Sequence, residues 1–450
     1  MMTSFFGELL NSITERGRSL LDRGRTFRGD AGCVELSELL LSQKGEASGL
    51  ALADQFFDAY AQLDDGERAS FFEALSTEFG PDLDAVTRAA NAFAEMPDAH
   101  NASKLYDVAE PRRQELIRRL NRTSNGTAQL VHMRSDLLDV LGEFPQLVDL
   151  DRDFEHLFFS WFNRGFLVLE PITWATPAVI LEKIIQYEAV HEIQSWEDLR
   201  GRIEPADRRC YAFFHPALND EPLIFVEVAL TTGTADAIAP ILDGNREVLD
   251  ASAADTAVFY SISNCQRGLK GISFGNFLIK QVASELVREL PHLKTFVTLS
   301  PVPAFRKWLD GVLATDAGQV FAELHGDELA LLKSPDWHEN EALSAQLKGM
   351  LMPLVGSYFL NAKHRSGKPF DPVQRFHLVN GAQLERINWL GDVSEKGLRQ
   401  SAGVMVNYLY DLDRIERNHE AYAEEDRVVA SSAVAQLARS KVVAGLSEAA

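Results

Sequence analysis

The stretch that decides the fold runs from Thr256 to Phe305 and reads TAVFYSISNCQRGLKGISFGNFLIKQVASELVRELPHLKTFVTLSPVPAF. Residues 256–262 are rich in β-branched and aromatic side chains, which predicts a strand. A glycine-containing loop follows, then an amphipathic helix that ends at Leu290, and then a second strand that ends in Leu299-Ser300-Pro301. The sequence therefore predicts a strand, a loop, a helix and a second strand that form one unit of a mixed α/β domain.

Three glycines, Gly268, Gly271 and Gly275, lie in the loop between the strand and the helix. Glycines at a helix N-terminus let backbone N–H groups approach an anion, and the helix end adds a partial positive charge. We therefore expect a phosphorylated ligand at this loop. The glycine spacing matches neither a Walker loop nor a GxGxxG fingerprint, so a turn that only connects strand to helix stays an open alternative.

The rest of the chain divides at about residue 160. Residues 1–160 show helical periodicity almost throughout, which predicts a helical bundle that serves packing or assembly. Residues 161–450 mix strand and helix patterns, and two strands at 210–217 and 223–230 flank a hairpin turn. The predicted fold class is α+β, an all-α N-terminal domain followed by a mixed α/β domain.

Composition limits what the protein binds. The chain has 44 basic and 66 acidic residues and a formal charge of -22, which argues against a nucleic-acid or anionic-membrane partner. Cys33, Cys210 and Cys265 are widely separated, which predicts neither a disulfide framework nor a zinc site. No apolar run approaches the roughly 20 residues of a membrane helix, and the N-terminal residues lack a signal-peptide pattern. We expect a cytoplasmic protein.

Two residues are candidates for chemistry. Ser300 ends a strand before a Pro-Val-Pro sequence that fixes the backbone, although a serine there can equally cap a turn. It lacks the GxSxG elbow of hydrolases. His377 lies in a short apolar segment, FHL, that we interpret as a strand before an Asn-Gly turn. A hydrogen-bonded core histidine is the alternative interpretation of His377.

Other polar residues have a structural interpretation beside a functional one. His215 precedes a proline at a strand end. Like His377, it is either a candidate for chemistry or a hydrogen-bonded core histidine. Tyr408 and Tyr410 fall in a segment, Gly397 to Arg417, whose pattern predicts an amphipathic helix with one phenol inward and one outward. A last helix is predicted from Glu425 to Val443.

Four long blocks, in this order along the chain, resemble the malonyl-CoA decarboxylase family. They are HPALNDEPLIFVEVALT (215–231), FYSISNCQRGLKGISFGNFLIK (259–280), LSPVPAF (299–305) and FHLVNGAQLERINWLGDVSEKG (376–397). The resemblance extends over about residues 150–415, whereas the N-terminal helical part is similar to the family only in general character.

The resemblance implies a helical oligomerisation domain at 1–160 and a catalytic domain at 161–450 similar to the GNAT acetyltransferase fold. It implies a homo-oligomer, dimer or tetramer, that acts in fatty acid metabolism and converts malonyl-CoA to acetyl-CoA and CO2 without biotin, metal or other cofactor. The family's acyl-CoA-binding loop falls on Lys270, Gly271, Ile272, Ser273, Phe274, Gly275 and Asn276. Its catalytic serine and histidine, which also contact the substrate, fall on Ser300 and His377, and a tyrosine implicated near the site falls on Tyr410.

The sequence departs from the family pattern at one position of this loop. Animal relatives carry a glutamate where this chain has Ser273, so a role of that carboxylate does not transfer. Arg365 and Lys368 are candidates for contacts to the CoA adenine and 3′-phosphate, with solvated loop cations as the alternative. The same features are also compatible with an acyl-CoA-dependent acyltransferase, or with a non-catalytic acyl-CoA sensor or scaffold.

Overall fold

The structure is a computed structural model that describes residues 27–42, 45–272, 278–334, 336–364 and 366–440. By its contacts the chain forms two compact units. The described residues of the first unit are 27–42, 45–168, 214–221 and 266–272, and those of the second are 169–213, 222–265, 278–334, 336–364 and 366–440. Two segments that follow strands of the sheet, 214–221 and 266–272, therefore group with the N-terminal helices.

The first unit is helical, as the sequence predicts. Its α-helices are α1 (Gly29–Ser42), α2 (Glu46–Tyr60), α3 (Asp65–Glu78), α4 (Leu83–Glu95), α5 (Ala99–Ala109), α6 (Arg112–Leu120), α7 (Gly126–Val140) and α8 (Val148–Trp161). Aspartates begin three of them: Asp64 forms a capping box with Glu67, and Asp82 and Asp98 accept backbone N–H groups of the first turns. These carboxylates satisfy backbone N–H groups that the first turn of a helix leaves without a partner.

Helices α4 and α5 pack against each other but bury almost nothing. No residue of α4 is buried, and Asn101 is the only buried residue of α5. Large apolar side chains are exposed on this hairpin, with Leu83 of α4 at 71%, Met96 just after α4 at 59% and Tyr106 of α5 at 74% of full exposure. An amphipathic hairpin of this kind leaves an apolar surface in contact with water.

An eight-stranded mixed sheet organises the second unit. The strands are β1 (Val168–Ile172), β2 (Arg208–Phe214), β3 (Pro222–Thr231), β4 (Thr256–Asn264), β5 (Thr295–Thr298), β6 (Ser300–Pro301), β7 (Gln383–Asn388) and β8 (Met405–Leu409). The order in the sheet is β1-β2-β3-β4-β5-β8-β6, with β7 paired to β8. The predicted succession of hairpin strands followed by a strand, helix and strand is confirmed, and so is the α+β class.

The sheet opens beside β4. This strand pairs antiparallel with β3 along nearly its whole length, but its parallel pairing with β5 ends at Phe259 opposite Thr298. The next strand, β6, pairs with β8 and leaves the second half of β4 without a strand on that side. The sheet therefore has a gap between the second half of β4 and β6, next to Ser300, the first residue of β6.

Helices cover the sheet of the second unit. They are α9 (Ala178–Tyr187), α10 (Trp196–Ile203), α11 (Ala239–Leu242), α12 (Leu278–Glu289), α13 (Phe305–Leu313), α14 (Asp316–Leu324), α15 (Gly326–Leu331), α16 (Glu341–Asn361), α17 (Pro372–Val379), α18 (Glu395–Ser401), α19 (Ile415–Glu425) and α20 (Ser432–Ala438). The amphipathic helix of the opening stretch is α12, with Val282, Ala283 and Leu286 fully buried. Across the described residues, no helix is both long and apolar enough to cross a membrane.

Three secondary-structure predictions were wrong. His377 lies on helix α17 and not on a strand, because Asp371 caps that helix and Pro372 occupies its first position. The helix predicted from Gly397 to Arg417 is α18, strand β8 and the start of α19. It breaks because Ala402 and Gly403 adopt positive φ angles of 53° and 76°. The helix predicted from Glu425 to Val443 is, within the described residues, the short α20.

Candidate active site

A chain of hydrogen bonds joins three residues that are far apart in sequence. Ser300 Oγ lies 3.0 Å from His377 Nε2, and His377 Nδ1 lies 2.8 Å from the phenol oxygen of Tyr410. All three side chains are buried, with residue exposures of 6%, 2% and 1%. The serine, the histidine and the tyrosine singled out in the sequence thus meet in the second unit.

The sheet fixes the serine. Leu299 donates its N–H to Phe259 O at 2.9 Å, which continues the ladder of β5 for one residue. Ser300 then pairs with Val406 of β8, and its hydroxyl donates to Thr298 Oγ1 at 2.9 Å. Residues two apart on an extended backbone project to the same side, which is why Thr298 and Ser300 meet.

A buried cap fixes the histidine. Asp371 Oδ1 accepts the N–H groups of Val373 and Gln374 at 2.9 and 3.0 Å and so begins α17, and its Oδ2 accepts the Tyr358 hydroxyl at 2.9 Å. His377 is in the last turn of this eight-residue helix. The capped helix therefore positions the imidazole of His377 beside the Ser300 hydroxyl.

Aromatic packing and burial set the charge state of the site. The Tyr408 ring stacks on the imidazole, with centroids 4.3 Å apart and planes inclined by 24°. Burial lowers the pKa of His377 to about 3, and burial raises the pKa of Tyr410 well above its ordinary value. At neutral pH the imidazole is uncharged and the phenol keeps its proton. Both Tyr408 and Tyr410 are buried, so the expectation that one of them points outward was wrong.

A cavity of about 260 Å³ lies beside this network. Its lining residues are Val190, Phe259, Tyr260, Ile262, Asn264, Ser300, Pro301, Pro372, Val373, Phe376 and His377. Four of them belong to β4, from Phe259, where the pairing with β5 ends, to Asn264, so the gap in the sheet forms one wall. Apart from the His377 imidazole and the Tyr260 phenol, none of these described residues bears an ionisable side chain. The cavity combines an apolar wall with a few polar groups, as small-molecule sites do.

The predicted CoA loop is described only at its start. Lys270, Gly271 and Ile272 lie in the first unit, whereas Ser273, Phe274, Gly275 and Asn276 lie outside the described residues. The buried guanidinium of Arg134 on α7 donates to the carbonyl oxygens of Gly268 and Lys270 at 2.9 and 2.8 Å. The same guanidinium contacts Asp151 at 2.7 Å and Glu155 at 3.0 Å. The buried guanidinium of Arg134 therefore fixes the backbone at the start of the loop.

At two positions of the loop, the local backbone structure explains why the residue is glycine. A Cβ at Gly268 would lie 1.9 Å from the Val131 carbonyl oxygen, so only glycine allows this close approach to α7. Gly271 has a φ of 86°, which disfavours other residues. The flanking cation Arg267 is engaged as well, since it forms an ion pair with Asp139. These two glycines therefore do not by themselves indicate an anion site.

The remaining candidates are His215, Lys368 and Arg365. His215, in the first unit, contacts the Trp161 carbonyl oxygen at 3.2 Å and accepts the N–H of Ala217, and burial lowers its pKa. These bonds give it the structural role that was its alternative interpretation. Lys368 is exposed, and Arg365 lies outside the described residues. Within the part of the chain that the structure describes, no three His, Cys, Asp or Glu side chains are grouped as metal ligands would be.

Sequence reasoning missed several residues of the network. In the sequence, nothing distinguishes Thr298 from an ordinary strand residue. Nothing distinguishes Arg134 from any other charged residue on an amphipathic helix. Asp371 followed by Pro372 is a helix-start signal, and its recognition would have placed His377 on a helix.

Comparison with known proteins identifies the family. The model of the malonyl-CoA decarboxylase C-terminal domain matches residues 165–447, and that of the N-terminal domain matches residues 79–162. The chain is 36% identical over 413 residues to the mitochondrial malonyl-CoA decarboxylase of Anser anser anser, covering 84% of this chain and 82% of the relative. For the Rattus norvegicus enzyme the identity is 34%, over 88% and 87% of the two chains.

Solved structures of malonyl-CoA decarboxylases are similar to this chain as well. The crystal structure of malonyl-CoA decarboxylase from Rhodopseudomonas palustris matches with a TM-score of 0.88 and 54% identity, over 91% of this chain and 99% of that one. The enzyme from Agrobacterium vitis matches with a TM-score of 0.85 and 52% identity, over 90% and 99%. The chain therefore belongs to the malonyl-CoA decarboxylase family.

Proposed function

We propose that this chain decarboxylates malonyl-CoA to acetyl-CoA and CO2, and that Ser300, His377 and Tyr410 form its catalytic centre. The observation that carries the proposal is the buried chain of hydrogen bonds from Ser300 through His377 to Tyr410, beside a cavity of about 260 Å³. Membership of the family supplies the substrate.

The reaction needs two things from the site. Cleavage of the bond between the carboxylate carbon and Cα releases CO2 and leaves the electron pair on an acetyl-CoA enolate, so charge develops on the thioester oxygen. Donors must be fixed in place to stabilise that oxygen before the reaction begins. A proton must then reach Cα, and one proton taken up from water restores the site.

His377 is suited to the donor role. Its imidazole is uncharged at neutral pH because burial lowers its pKa to about 3, so it offers one N–H group and no full charge. In the proposed mechanism it donates a hydrogen bond or a proton to the enolate. Ser300, 3.0 Å away, orients the leaving carboxylate or relays the proton. General acids of this kind contribute about 10² to 10⁴ in rate.

The proposal assigns the CoA portion of the substrate to the loop Lys270–Asn276. Backbone N–H groups of a glycine-containing loop before a helix are suitable donors to a pyrophosphate. The resemblance of this segment to the family's acyl-CoA-binding loop supports the assignment, and so does the anchoring of its first residues by Arg134.

One experiment separates this function from the two alternatives. The purified protein is incubated with malonyl-CoA alone, and again with a panel of amines, and acetyl-CoA and acylated amine are quantified by chromatography. Acetyl-CoA formed without an acceptor supports the decarboxylase. Product that appears only with an amine would establish an acyltransferase, and bound malonyl-CoA without turnover would establish a sensor.

We also propose that the helical domain, residues 1–160, joins copies of this chain into a dimer or tetramer, and that residues 161–450 form the catalytic domain. The exposed apolar side chains on the hairpin of α4 and α5 support a second copy as the occupant. Burial of exposed Leu, Met and Tyr side chains of this kind is the main source of stability in homodimer interfaces.

The cytoplasm is the proposed location. The three cysteines are free and buried, which suits a compartment without disulfide formation. Fractionation of the source cells tests this proposal: recovery of the protein in an organelle, as the names of the animal relatives imply for those enzymes, would contradict it.

A further inference from the structure

The buried network contains a third hydroxyl whose role follows from counting hydrogens. Ser300 has one hydroxyl hydrogen and two neighbours, since its Oγ lies 2.9 Å from Thr298 Oγ1 and 3.0 Å from His377 Nε2. The geometry makes Ser300 the donor to Thr298. The hydrogen between Ser300 and His377 must then come from the imidazole.

We propose that Thr298 is a positioning residue that holds His377 in the tautomer with its hydrogen on Nε2. With the Ser300 hydrogen engaged by Thr298, Nε2 donates to Ser300 Oγ, and Nδ1 is left as the acceptor of the Tyr410 hydroxyl at 2.8 Å. The hydrogens of Ser300, His377 and Tyr410 that take part in the chain then each have one acceptor. The catalytic role of this tautomer rests on the proposed function. The tautomer itself follows from the hydrogen bonds and does not depend on that function.

Thr298 is itself held in place on several sides. It is fully buried and pairs with Phe259 across β4 and β5. Its Oγ1 accepts the backbone N–H of Tyr408 at 3.1 Å, and its carbonyl oxygen accepts the side-chain amide of Asn407 at 2.7 Å. Because the β-branched side chain of threonine is stiff at χ1, the acceptor cannot turn away from Ser300.

The tautomer decides where the donor of the site points. Ser300 and His377 both line the 260 Å³ cavity, and Nε2 is the imidazole nitrogen on the Ser300 side. In the proposed tautomer the hydrogen is on that nitrogen, where an enolate in the cavity would need it. In the other tautomer the hydrogen would point at Tyr410, and Nε2 would offer a lone pair to a substrate that needs a donor.

The tautomer of His377 can be determined from its ¹⁵N signals in the absence of substrate. Protein labelled with ¹⁵N-histidine is compared as wild type, Thr298→Val and Thr298→Ser, and the His377 signals are identified by their loss in His377→Asn. We expect a protonated Nε2 and a bare Nδ1 in the wild type and in Thr298→Ser. In Thr298→Val the Ser300 hydrogen turns to Nε2, so we expect the hydrogen of the imidazole on Nδ1.

Kinetics supply the second readout. We expect Thr298→Val to lower kcat about 10- to 100-fold, as a misplaced catalytic group does, with KM changed less than about 2-fold because Thr298 does not line the cavity. Thr298→Ser keeps the acceptor and should restore most of kcat. A loss caused only by packing would be at least as large in the serine variant, which has lost the threonine methyl group.

Three results would overturn the inference. They are a wild-type hydrogen on Nδ1, an unchanged tautomer in Thr298→Val, and equal kcat losses in the valine and serine variants. Should Thr298→Val not fold, Tyr410→Phe gives the same answer, because Thr298 alone must then keep the hydrogen on Nε2. A wild type that shows the expected tautomer but forms no acetyl-CoA would contradict the proposed function and leave the tautomer standing.

Discussion

The burial of His377 makes a sharp prediction about the pH dependence of catalysis. An ordinary histidine, with a pKa near 6.5, goes from roughly 10% to 90% protonated between pH 7.5 and 5.5. Burial lowers the pKa of His377 to about 3, so less than about 1% of it is protonated at pH 5.5. We therefore expect kcat to change less than about 2-fold over this range.

The assay is acetyl-CoA formation at saturating malonyl-CoA, measured at intervals from pH 7.5 to 5.5. Use of kcat keeps the ionisation of the CoA phosphates out of the profile, because their effect on binding enters KM. As a control, enzyme held at pH 5.5 is returned to pH 7.5 and must recover its activity. A tenfold rise towards pH 5.5 would show that imidazolium is the donor, and a tenfold fall would show that His377 titrates as an exposed histidine does; either result refutes the reasoning.

Three further predictions follow from other parts of the structure. Because Arg134 holds the start of the loop, Arg134→Lys should raise the KM for malonyl-CoA about 10-fold with kcat little changed, whereas the exposed Arg152→Lys should alter neither. If the α4 and α5 hairpin joins copies of the chain, Leu83→Glu with Tyr106→Glu should lower the mass measured by light scattering at unchanged helix content. A folded pKa of about 3 for His377 means that stability is lost as the pH falls from about 6.5 towards 3. Chemical denaturation at pH 7.5 and 5 should thus show wild type losing about 2 kcal/mol more than His377→Asn, and equal losses would count against the burial argument.

Local patterns predicted the frame of the second unit well. The β-branched and aromatic run at the start of the opening stretch is β4, and the amphipathic run after the loop is α12, because a strand period of two and a helix period of 3.6 are distinct in long segments. The failures came from short segments. The eight residues of α17 and the five of β8 are too short for periodicity to decide, and a cap or a pair of positive φ angles determined them instead.

The site was less accessible to sequence reasoning than the fold. Ser300 and His377 were weighed as candidates on local grounds, but only the resemblance to a family preferred them over His215. Thr298 had no signal for its role, because that role depends on a hydrogen bond to Ser300. Asp371 had a helix-start signal, but its hydrogen bond to Tyr358 forms only when folding brings the two residues together. The glycine loop shows a different difficulty, since Gly268 has a packing reason that sequence alone could not separate from anion binding.

The most direct test of the central claim is the turnover of malonyl-CoA labelled at its free carboxyl carbon, with no acceptor present. Wild type, Ser300→Ala and His377→Asn are compared, each shown by circular dichroism and thermal denaturation to keep its fold. We expect labelled CO2 and acetyl-CoA in equal amounts from the wild type, and a kcat about 10² to 10⁴ times lower in His377→Asn, with Ser300→Ala also impaired. Full turnover by either folded variant, or no labelled CO2 from the wild type, would contradict that claim.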